Sequence, residues 1–476
     1  MGTELTRRRF LESAAAGCIG LALTGSCARE QKRTSSPPPS GLHRPWKAGV
    51  AKIQITPRKS VWMTGYGART KPSEGTLLEL YAKALALEDE TGNRAVLVTT
   101  DLLGFPAVVA ENIARQVKEK YRLSRDRLML TSSHTHGGPA LANPTRLLYG
   151  PRTTPEQWRD VEDYTRELEG KVVEVVGAAL HDLRPARVRF GHGEAKFAMN
   201  RRKKLEKGYT IGVNPEGPVD HDVPVLRIES PKGLLRGVVF GYACHNTTLG
   251  GDIYQFHGDY AGFAQASLEK HHPDAVAFFV EGCAGDANPN PRGKVEQARQ
   301  YGETLALAVD NAMRGSLRPV GGPLKTAFEV FPILFATPPA RKDLEAQLQH
   351  KDIYFQWHAK EMLKQMDRDG RLPSEYSYPT QVWQFGRDLT LIAMAGEVVV
   401  DYDLRLKREL GAENTWVAGY CNDVFAYIPS RRVLEEGGYE GGGAMIYYVQ
   451  PGPFAPSVEE TIITEIHKAV ERARAK

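Results

Sequence analysis

Cysteine is scarce in this chain: there are five in 476 residues, and two of them, Cys18 and Cys27, lie near the N-terminus. The other three, Cys244, Cys283 and Cys421, are an odd number and too few for a disulfide framework, although a single bridge beside one free thiol stays open. Long apolar runs are missing too, and a bilayer-crossing helix needs about 20 such residues. There is no G-x-x-x-x-G-K-[ST] phosphate loop, no G-x-S-x-G nucleophile turn and no internal repeat. Neither sign of charge dominates: 62 Lys+Arg against 57 Asp+Glu leave +5. Nucleic-acid binding usually shows as clustered basic residues, so no nucleic-acid partner is expected. With 41% hydrophobic and 25% charged side chains, the composition excludes disorder and supplies a large core. A soluble globular enzyme is the class expected.

The first residues read as an address rather than as fold. Thr6-Arg7-Arg8-Arg9-Phe10-Leu11-Glu12 precedes a mildly apolar stretch, Ser13 to Ser26, rich in Ala and Gly. That is the layout of a twin-arginine export signal, so residues 1–27 are expected to be removed and the protein to work in the periplasm or outside the cell. Thr24-Gly25-Ser26-Cys27 loosely matches a lipoprotein box, which would anchor the chain through Cys27. Twin-arginine substrates cross already folded, often with a metal or cofactor loaded, and this hints at a metalloenzyme. Residues 28–45 contain Ser35-Ser36-Pro37-Pro38-Pro39-Ser40-Gly41 and read as an extended tether.

From residue 46 onward, strand and helix patterns alternate. Val50 to Ile55 alternates at period two and stops at Thr56-Pro57; Leu80 to Leu87, Arg94 to Thr100 and Leu128 to Leu130 are further strands. Val223 to Ile228, Gly237 to Tyr242, Ala275 to Val280 and Leu389 to Met394 complete the strand set. Helical spacing marks Val108 to Tyr121, Glu156 to Leu183, Val295 to Met313 and Val458 to Ala475, and Leu344 to Met366 reads as a charged helical hairpin or arm. The expectation is an α/β (mixed α+β) fold, one large unit over 46–476 whose mixed sheets are flanked by helices.

Chemistry is to be sought where polar residues interrupt this pattern. His134-Thr135-His136-Gly137-Gly138-Pro139 follows the Leu128 strand. Residues two apart in extended chain face the same way, so the two imidazoles would project together, as a metal site or a metal ligand beside an acid/base; otherwise they cap the Gly-Gly-Pro turn. His245 ends the Gly237 strand, where a satisfied core histidine is the plain alternative. Gly282-Cys283-Ala284-Gly285-Asp286-Ala287-Asn288 offers small residues beside which a ligand can lie, or an ordinary turn before Pro289. Glu397 stands just past the Leu389 strand. Asn422-Asp423-Val424-Phe425-Ala426-Tyr427-Ile428 and then Tyr439-Glu440-Gly441 are a core aromatic turn if they are nothing more.

Together these segments resemble one family, the neutral ceramidases. The matching pieces are His134-Thr135-His136-Gly137-Gly138-Pro139, Asn200-Arg201, the His245 segment, Gly258-Asp259, Gly285-Asp286 with Pro289-Asn290, Gly396-Glu397, and Asn422 with Tyr427-Ile428 and Tyr439-Glu440-Gly441, in family order. The resemblance implies one zinc ion held by His134, His245, Glu397 and Tyr427. It implies that His136, Arg201 and Tyr439 hold the carbonyl oxygen and move protons while a metal-activated water attacks an amide. Asp259 and Asp286 would orient histidines or form salt bridges. Where the family has a catalytic serine, this chain has Asn288, an amide that donates hydrogen bonds but is no nucleophile. The family's C-terminal β-sandwich is expected to be absent. The expected function is zinc-dependent hydrolysis of an N-acylated lipid such as ceramide. A different N-acyl or ester substrate, such as an acylated amino sugar, or a non-catalytic lipid-binding role, are the alternatives. A lipid-like small molecule is the expected partner, with room for association at a membrane surface and no sign of an obligate protein partner.

Overall fold

The strand patterns condense into two sheets stacked face to face. The computed structural model describes residues 46–142 and 152–475, so the expected signal 1–27, the tether 28–45 and Cys27 lie outside the described residues. The larger sheet has nine strands. Eight run in the spatial order Val276–Glu281, Leu235–Tyr242, Asp222–Glu229, Arg184–Glu194, Trp46–Gln54, Tyr81–Glu88, Arg94–Thr100 and Leu128–Ser132, and Arg318–Pro319 pairs with Arg184–Glu194. The smaller sheet runs Leu324–Leu334, Glu375–Phe385, Leu389–Met394, Thr415–Ala418.

Within these two sheets most neighbouring strands are antiparallel, but three pairs are parallel: Arg94–Thr100 with Leu128–Ser132, Leu235–Tyr242 with Val276–Glu281, and Leu389–Met394 with Thr415–Ala418. A parallel pair cannot be closed by a tight turn and takes a crossover, usually a helix. The helices Ala107–Tyr121, Asp259–His271 and Val400–Leu410 fill those three roles. The larger sheet's outer face is covered by Ala107–Tyr121 and Pro155–His181 at one end and by Asp259–His271 and Val295–Arg314 at the other. Trp46, Leu97 and Phe190 meet Trp383, Leu391 and Trp416 between the sheets, and Val458–Ala475 closes the outer face of the smaller one. Helices thus cover the outer faces of both sheets, and the larger sheet curls so that Val276–Glu281 comes close to Leu128–Ser132, in agreement with the mixed α/β expectation.

Two crossover helices escape a pattern reading for physical reasons. Asp259 to Gln265 is buried on every side, so no apolar stripe distinguishes it. Val400, Tyr402, Leu404 and Leu406 alternate with polar residues, which imitates a strand over Val400–Leu410. The charged arm is two helices, Arg341–Gln347 and Ile353–Asp369, the second started by the Asp352 carboxylate accepting from the Tyr354 amide at 2.9 Å. The arm is anchored where the Tyr354 hydroxyl donates to the carbonyl of Gly67.

Cys244, Cys283 and Cys421 are all free and buried, each in a different apolar cluster, so the single bridge left open by the sequence is not formed. Burial raises all three thiols, Cys421 to about 12, and leaves them unreactive near neutrality.

Candidate metal and active site

The three parallel units place their strand ends at one edge of the sheet stack, and the singled-out residues follow those ends. His134 and His136 come after Leu128–Ser132 and His245 after Leu235–Tyr242; Glu397 pairs with Tyr427 in a short parallel ladder beyond the smaller sheet. The histidines do not converge by strand alternation. His134 takes a φ of 55°, which breaks the extended chain, and yet the His134 and His136 rings lie 5.0 Å apart. Tyr420 and Asn422 also have positive φ, at 55° and 65°. Such backbone costs on the order of 1–3 kcal/mol at a non-glycine residue and tends to gather at functional sites. Here it packs the Tyr420 ring 4.3 Å from that of His134.

The protons are fixed by hydrogen bonds behind the rings. His134 donates from Nδ1 to the Leu103 carbonyl at 2.7 Å, and His245 from Nδ1 to the Ala284 carbonyl at 2.5 Å. Each therefore presents a bare Nε2 lone pair forward. Both lone pairs face the same carboxylate oxygen, Glu397 Oε2, at 3.1 and 3.0 Å, and that oxygen accepts no hydrogen bond. His136 Nε2 lies 3.3 Å from His134 Nε2, and the Tyr427 hydroxyl 3.3 Å from His245 Nε2. Burial, then Arg201, pulls His245 down to about 3, and burial with the neighbouring imidazoles pulls His136 well below its usual value. With both Nδ1 hydrogens spent on backbone carbonyls, the His134 and His245 Nε2 atoms and Glu397 Oε2 turn electron pairs on one another. Such a set is costly by itself and is resolved by a cation at its centre. Nitrogen and oxygen donors in this number suit zinc. The donor atoms of His134, His136 and His245 lie within 4.8 Å of one another, as metal ligation needs.

A second group flanks this set. Arg201 follows the strand Ala198–Asn200, which pairs with Ala287–Pro289 and so brings Asn288 alongside. Its guanidinium donates from Nε to Glu440 Oε1 at 2.8 Å, from Nη1 to Asn288 Oδ1 at 3.2 Å and from Nη2 to the Tyr427 hydroxyl at 2.9 Å. Thr247 Oγ1 donates to the same Asn288 oxygen at 3.2 Å, so the amide hydrogens on Nδ2 point elsewhere. The Tyr439 ring lies 5.3 Å from the Tyr427 ring, and burial raises its phenol, which stays a neutral donor. The fold thus gathers His134, His136, Arg201, His245, Asn288, Glu397, Tyr427 and Tyr439 around one centre.

The expectation that Asp259 and Asp286 orient histidines is corrected. Asp259 accepts from the amides of Thr248, Leu249 and Tyr260, and Asp286 from the Val400 amide and the Asn200 side chain. They tie loops down, and Asp286 also lies 3.9 Å from the Arg432 guanidinium, in line with the salt-bridge alternative, while backbone carbonyls orient His134 and His245.

Three contributors had no role in the sequence reading. Glu440 bridges Arg201 and Arg202. Gly65, at φ 91°, leaves room that a Cβ would take 2.5 Å from the His136 ring. Tyr448 donates to Glu397 Oε1, which turns the other oxygen toward the histidines. Only the Tyr447-Tyr448 pair after the glycine cluster hinted at the last. Tyr448→Phe is expected to weaken metal affinity about tenfold, the lower end for a partner that orients a ligand, read by competition with a chromogenic chelator.

Beside the site, Asp423 accepts from the Tyr376 hydroxyl at 2.5 Å, and burial pushes its carboxyl up to about 7. The folded carboxyl holds its proton better than an unfolded one, whose ordinary value is 3.8. Its contribution to stability is therefore full below the unfolded value and is lost as pH rises through about 7. Asp423→Asn, which keeps an acceptor for Tyr376, is expected to gain on wild type in urea unfolding between about pH 5 and about pH 8.

Comparison with known proteins adds the following. Residues 46–314 match the family model described as neutral/alkaline non-lysosomal ceramidase, N-terminal. Neutral ceramidase A of Dictyostelium discoideum is 26% identical over 268 residues, which are 52% of this chain and 36% of that protein. Neutral ceramidase of Drosophila melanogaster is 22% identical over 267 residues, with the same shares. The match thus spans little more than a third of those relatives. Among solved structures, neutral ceramidase from Pseudomonas aeruginosa superposes with a TM-score of 0.71 at 19% identity, over 91% of this chain and 74% of that one. A ceramidase complexed with C2 gives 0.68 at 19%, over 88% and 73%. These two likenesses concern the fold.

Proposed function

Since this chain belongs to the neutral/alkaline non-lysosomal ceramidase family, we propose that it hydrolyses the amide bond of an N-acylated lipid such as ceramide, with one zinc ion held by His134, His245, Glu397 and Tyr427. The observation that carries this reading is the pair of bare His134 and His245 Nε2 atoms facing Glu397 Oε2 at 3.1 and 3.0 Å. Bound there, zinc supplies a Lewis acid and brings the pKa of a water to about 7.

The chain's own groups do the rest. As water adds to the amide carbon, His136 takes its proton at Nε2, which faces the same centre, and returns it to the nitrogen that leaves as amine. Arg201 and the Tyr439 phenol face the carbonyl oxygen as it gains negative charge, and the Asn288 Nδ2 hydrogens are a further donor pair. Glu440 holds the guanidinium in that place. Asn288 neither attacks nor shuttles protons, so in this reading the nucleophile is water. The products are a fatty acid and an amine. Export by the Thr6–Glu12 signal to the periplasm or beyond, with an anchor at Cys27, belongs to the same proposal.

The test is metal content of the purified protein beside hydrolysis of a fluorescent N-acylsphingosine and a panel of acylated amino sugars. About one zinc per chain with hydrolysis of the first supports the full reading. Turnover of only the amino sugars keeps the mechanism and replaces the substrate. Zinc without turnover of any substrate overturns the hydrolase.

A further inference from the structure

Directly after Arg201 the chain runs out as a two-stranded hairpin, Arg202–Lys204 paired with Tyr209–Ile211. Its turn is closed by the Leu205 amide donating to the Gly208 carbonyl at 3.0 Å, with Gly208 at φ 76°. The root is rigid. Arg202 is buried between Glu436 and Glu440, its guanidinium lies 5.1 Å from the Tyr209 ring, and the Gly212 amide returns to the Arg201 carbonyl at 2.8 Å.

The outer part is the opposite of its root. Leu205, Ile211 and Val213 are 46%, 44% and 53% exposed. Single exposed apolar residues are ordinary, but three of the nine strongly exposed large ones among the described residues fall within this short stretch. Lys203, Lys204 and Lys207 are exposed beside them, and none pairs with a carboxylate among the described residues. Apolar side chains interleaved with three unpaired lysines, against the one exposed carboxylate of Glu206 at the tip, match a surface that offers anionic groups above hydrocarbon.

We propose that this hairpin docks the protein on an anionic lipid bilayer. Leu205, Ile211 and Val213 enter the boundary between headgroups and acyl chains, and Lys203, Lys204 and Lys207 meet the lipid phosphates. Because the hairpin is continuous with Arg201, docking turns that side of the site toward the membrane that would hold a lipid substrate. The choice of a bilayer over an acidic protein partner rests on the lipid-hydrolase reading.

The experiment is co-sedimentation of the full chain with vesicles of equal parts phosphatidylcholine and phosphatidylglycerol, and with vesicles of phosphatidylcholine alone. Binding to the mixed vesicles is expected, weaker on the neutral ones and falling with salt as surface charge is screened. Leu205→Ser with Ile211→Ser, and separately Lys203→Glu with Lys207→Glu, are each expected to weaken it at least about tenfold, given roughly fivefold per lysine near such a surface. Leu205→Trp reports the tip itself: its emission shifts to the blue on binding. Wild-type strength in both double variants, or no emission shift in sedimenting Leu205→Trp protein, overturns the proposal. Hydrolysis of a water-soluble short-chain N-acyl amide separates the two readings. Turnover by wild type without vesicle binding sinks docking alone, whereas vesicle binding lost in the variants, with no turnover by any protein, leaves docking standing and sinks the hydrolase.

Discussion

If the proposed zinc site is right, purified Glu397→Ala protein is expected to retain no zinc, with affinity down by more than about 100-fold, beyond the 10–100-fold that loss of an orienting partner costs. Glu397 is the one carboxylate among the described residues facing the lone pairs of His134 and His245, so its removal takes away the negative charge that offsets a divalent ion. Hydrolysis should fall in step, because the proposed mechanism has no other source of activated water. Glu397→Gln sets the control. It keeps the volume and an acceptor for the Tyr448 hydroxyl but not the charge, so its metal content should lie between wild type and Glu397→Ala. Metal analysis after dialysis against a weak chelator reads all three proteins. Full zinc retention in Glu397→Ala would move the site to the His134, His136 and His245 triad, whose donor atoms are also within reach of one ion.

Arg201→Lys should cost about 100- to 1,000-fold in kcat, the range for losing an aligned donor to a developing oxyanion, with metal content unchanged. A guanidinium meets Glu440, Asn288 and the Tyr427 hydroxyl at once because its donors are fixed in a plane. One ammonium on a flexible stem cannot span the three, and with its Glu440 contact gone it no longer faces the carbonyl oxygen. Stability should suffer much less, because Arg202 still donates to Glu440 Oε2 at 2.7 Å and no bare carboxylate is left buried. Steady-state kinetics on the N-acyl substrate separates the outcomes. A fall in kcat at constant KM places Arg201 on the transition state. Unchanged kcat would reduce it to a clamp for Tyr427 and Asn288.

The candidate site was partly legible in the sequence because His134, His245 and Glu397 each end or follow an apolar run, and a strand end is where a side chain leaves the core without leaving the fold. That signal found His134, His245 and Glu397, and the resemblance supplied roles for Arg201, Tyr427 and Tyr439. It did not reach what aims the imidazoles, since the carbonyls of Leu103 and Ala284 belong to residues whose side chains carry no such mark. Strand alternation suggested that His134 and His136 project side by side. They do meet, but through a left-handed turn at His134 that the residue type does not announce. The mixed fold followed from alternating patterns, whereas the stacking of the two sheets depends on contacts such as Phe190 with Trp416, far apart in the chain.

The spread of the site along the chain also has a meaning in folding time. Arg201 and Glu440 stand 239 positions apart, and Tyr427 and His245 stand 182. Closing loops of that length comes late, after local helices and hairpins have formed. A growing chain that has reached only His245 holds the imidazoles but neither Glu397 nor Tyr427, so the proposed four-residue set is incomplete. On the proposed ligand set, tight metal capture becomes available only when both sheets have met. An ion bound at that point holds the finished fold more firmly than any earlier stage, because a ligand stabilises the state it binds.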